Sequence, residues 1–104
     1  MDLSSHGVDD LHRVFVPRVG TQMLALPQGG VLLNTTSGAV FELNTVATEV
    51  WRLLSQGRSV AEICDGIVLR YRADRSVVES DITALLKSLA QLELIVAPQS
   101  ELGT

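Results

Sequence analysis

The stretch VLLNTTSGAVFELN, residues 31–44, constrains the fold more than any other part of the chain. Val31-Leu32-Leu33 and Ala39-Val40-Phe41-Glu42-Leu43 flank Asn34-Thr35-Thr36-Ser37-Gly38, a polar connection with the Gly of a hairpin loop. In the second run Phe41 and Leu43 share one face and Val40 and Glu42 the other, the period of a half-buried strand. Asn44 then offers a helix N-cap, and Val46, Ala47, Val50, Trp51, Leu53 and Leu54 recur at helical spacing until Gly57, placed as C′. The hairpin therefore runs straight into a helix, and both must bury their apolar faces in one core.

The rest of the chain extends this pattern. Residues 20–26, GTQMLAL, alternate as a strand does, and Pro27-Gln28-Gly29-Gly30 breaks the run as a turn. Three consecutive antiparallel strands thus form a meander. Ser59-Val60-Ala61-Glu62 has the form of a capping box, followed by the stripe Val60, Ile63, Ile67, Val68 and Tyr71. Ser76-Val77-Val78-Glu79 repeats that form ahead of Val78, Ile82, Leu85, Leu86, Leu89 and Leu92, the longest helix. Leu94-Ile95-Val96 adds a last extended piece before Pro98. The fold class expected is α+β, winged helix-turn-helix-like: a three-stranded antiparallel meander followed by three helices. Residues 1–17 read as a loosely held arm, 18–97 as the domain and 98–104 as a tail.

A search for chemistry is mostly negative. Cys64 is the single cysteine, so no intramolecular disulfide, CxxC pair or cysteine zinc site can be built, which suits a reducing cytoplasm. Cys64 falls one turn after Val60 and one before Val68, the place of a small core residue. His6 and His12 are six apart, which is not a helical metal pair, and they read as solvated. Neither a G-x-S-x-G elbow, a Ser-x-x-Lys pair, a P-loop nor G-x-G-x-x-G occurs. An enzyme is not expected, and no cofactor or metal is expected.

Charge narrows the partners. The formal net charge of −4 disfavours nucleic acid and anionic membrane, and no signal peptide or apolar run of spanning length is present. A winged-helix fold raises DNA binding as an alternative. The outward residues of the third helix, however, are Glu79, Ser80, Asp81, Thr83, Ala84, Lys87, Ser88 and Gln91, too poor in cations for phosphate contacts. Arg70, Arg72 and Arg75 cluster just before it and read largely as solvated helix ends.

From Gly30 to Ile95 the pieces VLLN, a Gly turn, VFELN, TVATEVWRLL, Gly57, SVAEI, Tyr71 and SDITALLKSLAQLELI resemble the PqqD-like family in order and spacing. The resemblance implies a RiPP recognition element in stand-alone form: a winged-helix-like protein without catalytic activity. Such proteins bind the leader segment of a ribosomally made precursor peptide as an added strand. They deliver it to a maturation enzyme, a leader peptidase in lasso peptide pathways or a radical SAM enzyme in others. Carried onto this chain, the docking strand is Ala39, Val40, Phe41, Glu42 and Leu43, and the facing wall is the third helix at Asp81, Ala84, Leu85 and Ser88. Glu93 departs from the family, which usually has Gly there. An open sheet edge can also pair with the same edge of a second copy, so a homodimerising adaptor is the alternative from another class.

Overall fold

The computed structural model describes residues 11–98. In chain order these form β1 (Val16–Pro17), β2 (Thr21–Leu26), β3 (Gly29–Asn34), β4 (Val40–Leu43), α1 (Thr45–Ser55), α2 (Val60–Tyr71), α3 (Arg75–Gln91) and β5 (Ile95–Val96). The sheet has the order β2-β3-β4, antiparallel throughout, with Met23 opposite Leu32 and Leu32 opposite Phe41. The meander followed by three helices is the fold class expected. A second, two-stranded ribbon pairs Val16 with Val96 and Pro17 with Ile95.

Period two in the strands and 3.6 in the helices meet in one core. Leu32 and Leu43 from the sheet bury against Val50, Trp51 and Leu54 of α1, Ile63 and Ile67 of α2, and Ile82, Leu86 and Leu89 of α3. Each such side chain contributes roughly 1.5–3 kcal/mol by leaving water. Asn44 caps α1 by accepting from the Ala47 amide at 2.8 Å, and Ser59 and Glu62 form the expected capping box of α2. Among the described residues no helix is long and apolar enough to cross a membrane.

The structure departs from the sequence reading at three places. Residues 11–17, expected in a loose arm, are tied down: Phe15 is buried in the core and Val14 bridges Ser59. The physical reason lies in α2, whose first amides lack intrahelical acceptors. The Val60 amide donates to the Arg13 carbonyl at 2.8 Å and the Ala61 amide to that of Leu11 at 2.7 Å. Residues 1–10 of the arm, His6 among them, lie outside the described residues, as do residues 99–104 of the tail.

The turn between β2 and β3 is the pair Pro27-Gln28, while Gly29 and Gly30 already belong to β3. Glycine is required there by close approach rather than by a turn. A Cβ on Gly29 would fall 2.1 Å from the Leu43 carbonyl oxygen.

The third departure is the start of α3, where Asp74, not Ser76, is the N-cap. Asp74 accepts from the Val77 amide at 3.2 Å and from the Ser76 hydroxyl at 2.5 Å. Glu79, expected to close a capping box, accepts instead from Arg75 at 2.7 Å. Asp is as good a cap as Ser, and it lies two residues earlier, so the helix starts there.

Beyond α3 the chain turns at Glu93, a non-glycine residue with φ of 61°. The corner is gripped from the sheet side. The Arg18 amide donates to the Leu94 carbonyl at 3.0 Å, the Thr21 hydroxyl to the same oxygen at 3.2 Å, and Asn34 Nδ2 to the Glu93 carbonyl at 2.8 Å.

Candidate functional site

Among the described residues β4 is an edge strand, paired with β3 on one side and with no strand on the other. Its ladder phase follows from one bond: the Asn34 amide donates to the Ala39 carbonyl at 2.9 Å. Antiparallel pairs alternate between bonded and non-bonded residues, and Leu32 lies opposite Phe41 and Gly30 opposite Leu43. The backbone groups of Ala39, Phe41 and Leu43 therefore point at β3. Those of Val40 and Glu42 point at the open edge, two N–H and two C=O groups ready for another strand.

Side chains along β4 divide in the complementary way. Leu43 is 4% exposed and Phe41 is partly buried against the core, whereas Val40 is 57% exposed and Glu42 is exposed on the outer face. Ala39 lies in the hairpin just before the strand.

Where β4 passes into α1, a cleft of about 450 Å³ opens against α3. Asn44, Val46, Ala47 and Val50 form one wall, and Asp81, Ile82, Ala84 and Leu85 the other. A smaller hollow of about 220 Å³ adjoins it and shares Val46, Asp81 and Ile82. Ile67, Tyr71, Ala73, Val77 and Val78 complete its almost wholly apolar lining. A further depression of about 490 Å³ lies on the other side of the strand's end, between the β2–β3 turn and Glu42-Leu43.

Of the residues expected in the wall, the structure brings Asp81, Ala84 and Leu85 together in the cleft, and Ser88 lies one turn further along α3, outside its lining. Ala39 to Leu43 form the edge beside the cleft rather than its lining. Val46, Ala47 and Val50 of α1 were missed as site residues, because their helical spacing reads only as a core stripe. The hint available was that Val46 is 38% exposed, which no periodicity reveals.

Little else in the described chain offers reactivity. Cys64 is fully buried, and burial pushes its thiol up from the usual value, away from the nucleophilic thiolate. His12 is exposed. Among the described residues no group of three His, Cys, Asp or Glu side chains could hold a metal ion. Of Arg70, Arg72 and Arg75, the last, which opens α3, bonds both Asp65 and Glu79.

Comparisons with known proteins converge on this region. A family model described as coenzyme PQQ synthesis protein D (PqqD) matches residues 29–95. Proteins called PqqA binding protein from Rhodopseudomonas palustris strains HaA2 and TIE-1 are 42% and 40% identical over 45 residues, 43% of this chain. The match spans 44% of those curated relatives, less than half of their length. Among solved structures, TbiB1 in complex with the TbiA(beta) leader peptide is similar with a TM-score of 0.71 and 33% identity. That similarity covers 76% of this chain and 92% of the other. A lasso peptide synthetase B1 complexed with its leader peptide gives a TM-score of 0.72 at 29% identity, covering 79% and 96%.

Proposed function

The chain belongs to the PqqD family, and we propose that it binds the leader segment of a ribosomally made precursor peptide as a fourth strand on the open edge of β4. The bound leader is then presented to a maturation enzyme, a leader peptidase or a radical SAM enzyme. The observation that carries this reading is the outward aim of the Val40 and Glu42 backbone groups beside a cleft of about 450 Å³. Strand addition satisfies those groups whatever the peptide's sequence, and the hollows along α3 discriminate among side chains. Two solved structures of this fold hold leader peptides, and the curated relatives are described as binding PqqA, which supports the same reading. Ala39 to Leu43 supply the template, Asp81, Ala84 and Leu85 the wall, and Ser88 extends that wall by a turn. The role is binding, with no catalytic step assigned to any residue.

The test is a titration of the labelled leader half of the precursor peptide encoded beside this chain, followed by fluorescence anisotropy. Val40→Pro removes an N–H that faces the docked strand while leaving the ladder to β3 intact. It is expected to weaken binding about tenfold or more, since one hydrogen bond is lost and its acceptor is left unpaired. Circular dichroism verifies that the variant is folded. Binding unchanged by this substitution, or no binding of the leader to the parent protein, would refute strand addition at β4. The same edge would also pair with its counterpart in a second copy. Sedimentation with and without leader separates the two, because a leader that occupies β4 dissolves an edge-paired dimer.

A further inference from the structure

We infer that Asp81 selects for a leader that carries a Lys or Arg where it crosses the α1–α3 cleft. The inference rests on the docking reading above and adds the chemistry of the peptide that the site accepts. Asp81 stands on the rim shared by the cleft of about 450 Å³ and the apolar hollow of about 220 Å³. A strand running off the end of β4 into either space passes over this carboxylate.

The other acids of the helical layer are already matched. Glu49 is paired with Arg52, Asp65 and Glu79 with Arg75, Glu62 closes the α2 capping box and Asp74 caps α3. Among the described residues the Asp81 carboxylate has neither an ion-pair nor a hydrogen-bond partner. No Lys or Arg lines either space, so a cation that meets this carboxylate has to come from the ligand. Glu42, on the outer face of the docking edge, adds charge of the same sign.

Covering Asp81 with a peptide removes water from an ionised group, which is unfavourable unless an opposite charge takes the water's place. An apolar or acidic leader residue at that point is therefore disfavoured, and a basic one is drawn in. The strand bonds of β4 are indifferent to sequence, so this contact discriminates between leaders that the edge alone would treat alike.

The experiment uses the fluorescein-labelled leader of the precursor peptide encoded beside this chain, with each Lys and Arg replaced in turn by Gln. Each peptide is titrated against the full chain and against Asp81→Asn and Asp81→Lys, all shown to be folded by circular dichroism. One Gln replacement is expected to weaken binding to the parent by about threefold to tenfold while leaving binding to Asp81→Asn nearly unchanged. Asp81→Lys is expected to lose more, and to recover part of the loss when the same leader position is made Glu. Tight binding of the unmodified leader that Asp81→Asn does not alter overturns the selection and leaves docking on β4 standing. Losses that merely add, or a bound leader segment without Lys or Arg, overturn it equally. A parent protein that fails to bind the leader overturns both readings.

Discussion

Asn34 is a buried side chain that ties the sheet to the corner beyond α3, and its removal has a calculable effect. It is 3% exposed and makes three hydrogen bonds. Oδ1 accepts from the Thr36 and Ser37 amides at 2.8 and 3.1 Å, holding the β3–β4 turn, and Nδ2 donates to the Glu93 carbonyl at 2.8 Å. In Asn34→Ala the two turn amides belong to exposed residues and find water, so each bond lost there costs about 0.5 kcal/mol. The cross-link to Glu93 costs about 1–2 kcal/mol, because it is lost together with the packing of an Asn34 side chain that is 3% exposed. The sum, about 2–3 kcal/mol, lowers the melting temperature by roughly 10–20 °C for a domain of this size.

Thermal unfolding followed by circular dichroism at neutral pH reads this directly. Asn34→Asp keeps the acceptor for the turn but sets a buried carboxylate against the Glu93 carbonyl, so its loss at neutral pH is expected to exceed that of the cross-link alone. Midpoints of both variants within about 3 °C of the parent would refute the claim that this bond joins the hairpin to the end of α3.

Two further outcomes follow from the same geometry. Glu93 holds φ of 61°, a region in which a Cβ costs roughly 1–2 kcal/mol, so Glu93→Gly is expected to stabilise by about 0.5–1 kcal/mol after the added chain entropy of glycine. A lower denaturation midpoint for Glu93→Gly would contradict the strain. The Asp74 carboxyl is held below its usual value, chiefly by the Ser76 hydroxyl and then by the Val77 amide. The folded state therefore binds that proton more weakly than the unfolded chain, and the cap's contribution is complete above the ordinary carboxylate range and lost as pH falls through the lowered value. Asp74→Ala should accordingly be less stable than the parent at neutral pH and match it in strong acid, and parallel curves across a pH series of urea titrations would be the contrary result.

Much of the architecture was legible because local signals and tertiary demands agree. The runs at 31–33 and 40–43 lie in β3 and β4, with Ala39 just before β4, and Asn44 as a cap and the Ser59-Glu62 box form as read. Two of the misreadings share one cause, namely partners distant in sequence, while the cap of α3 is a local competition that Asp74 wins over Ser76. Residues 11–17 carry no clean period, yet their carbonyls receive the first amides of α2 and Phe15 enters the core. Gly29-Gly30 has turn composition, but what demands glycine is the approach of the Leu43 carbonyl fourteen positions later. Asp81, Ala84 and Leu85 could be assigned to the facing wall through family resemblance, whereas Val46 and Val50 opposite them could not. Both valines fit a buried stripe, and only the tertiary placing of α1 opposite Asp81, Ala84 and Leu85 makes them line a cleft.

The placement of β4 also explains how so short a strand can serve as a template. Its first residue follows a turn that Asn34 fastens to the corner beyond α3, and its last passes directly into the Asn44 cap of α1. Alongside, Gly29 admits the Leu43 carbonyl at a distance that no side chain would permit. The strand is thus fastened at both ends and along one side to the elements that form the cleft, leaving only the Val40 and Glu42 backbone groups unpaired. A docking peptide must give up its own conformational freedom, but it does not have to order the strand that receives it. Loosening either end is therefore expected to weaken binding by more than the contacts of the altered residue, since Asn34→Ala touches no part of the cleft and still unfastens the start of β4 from the corner beyond α3.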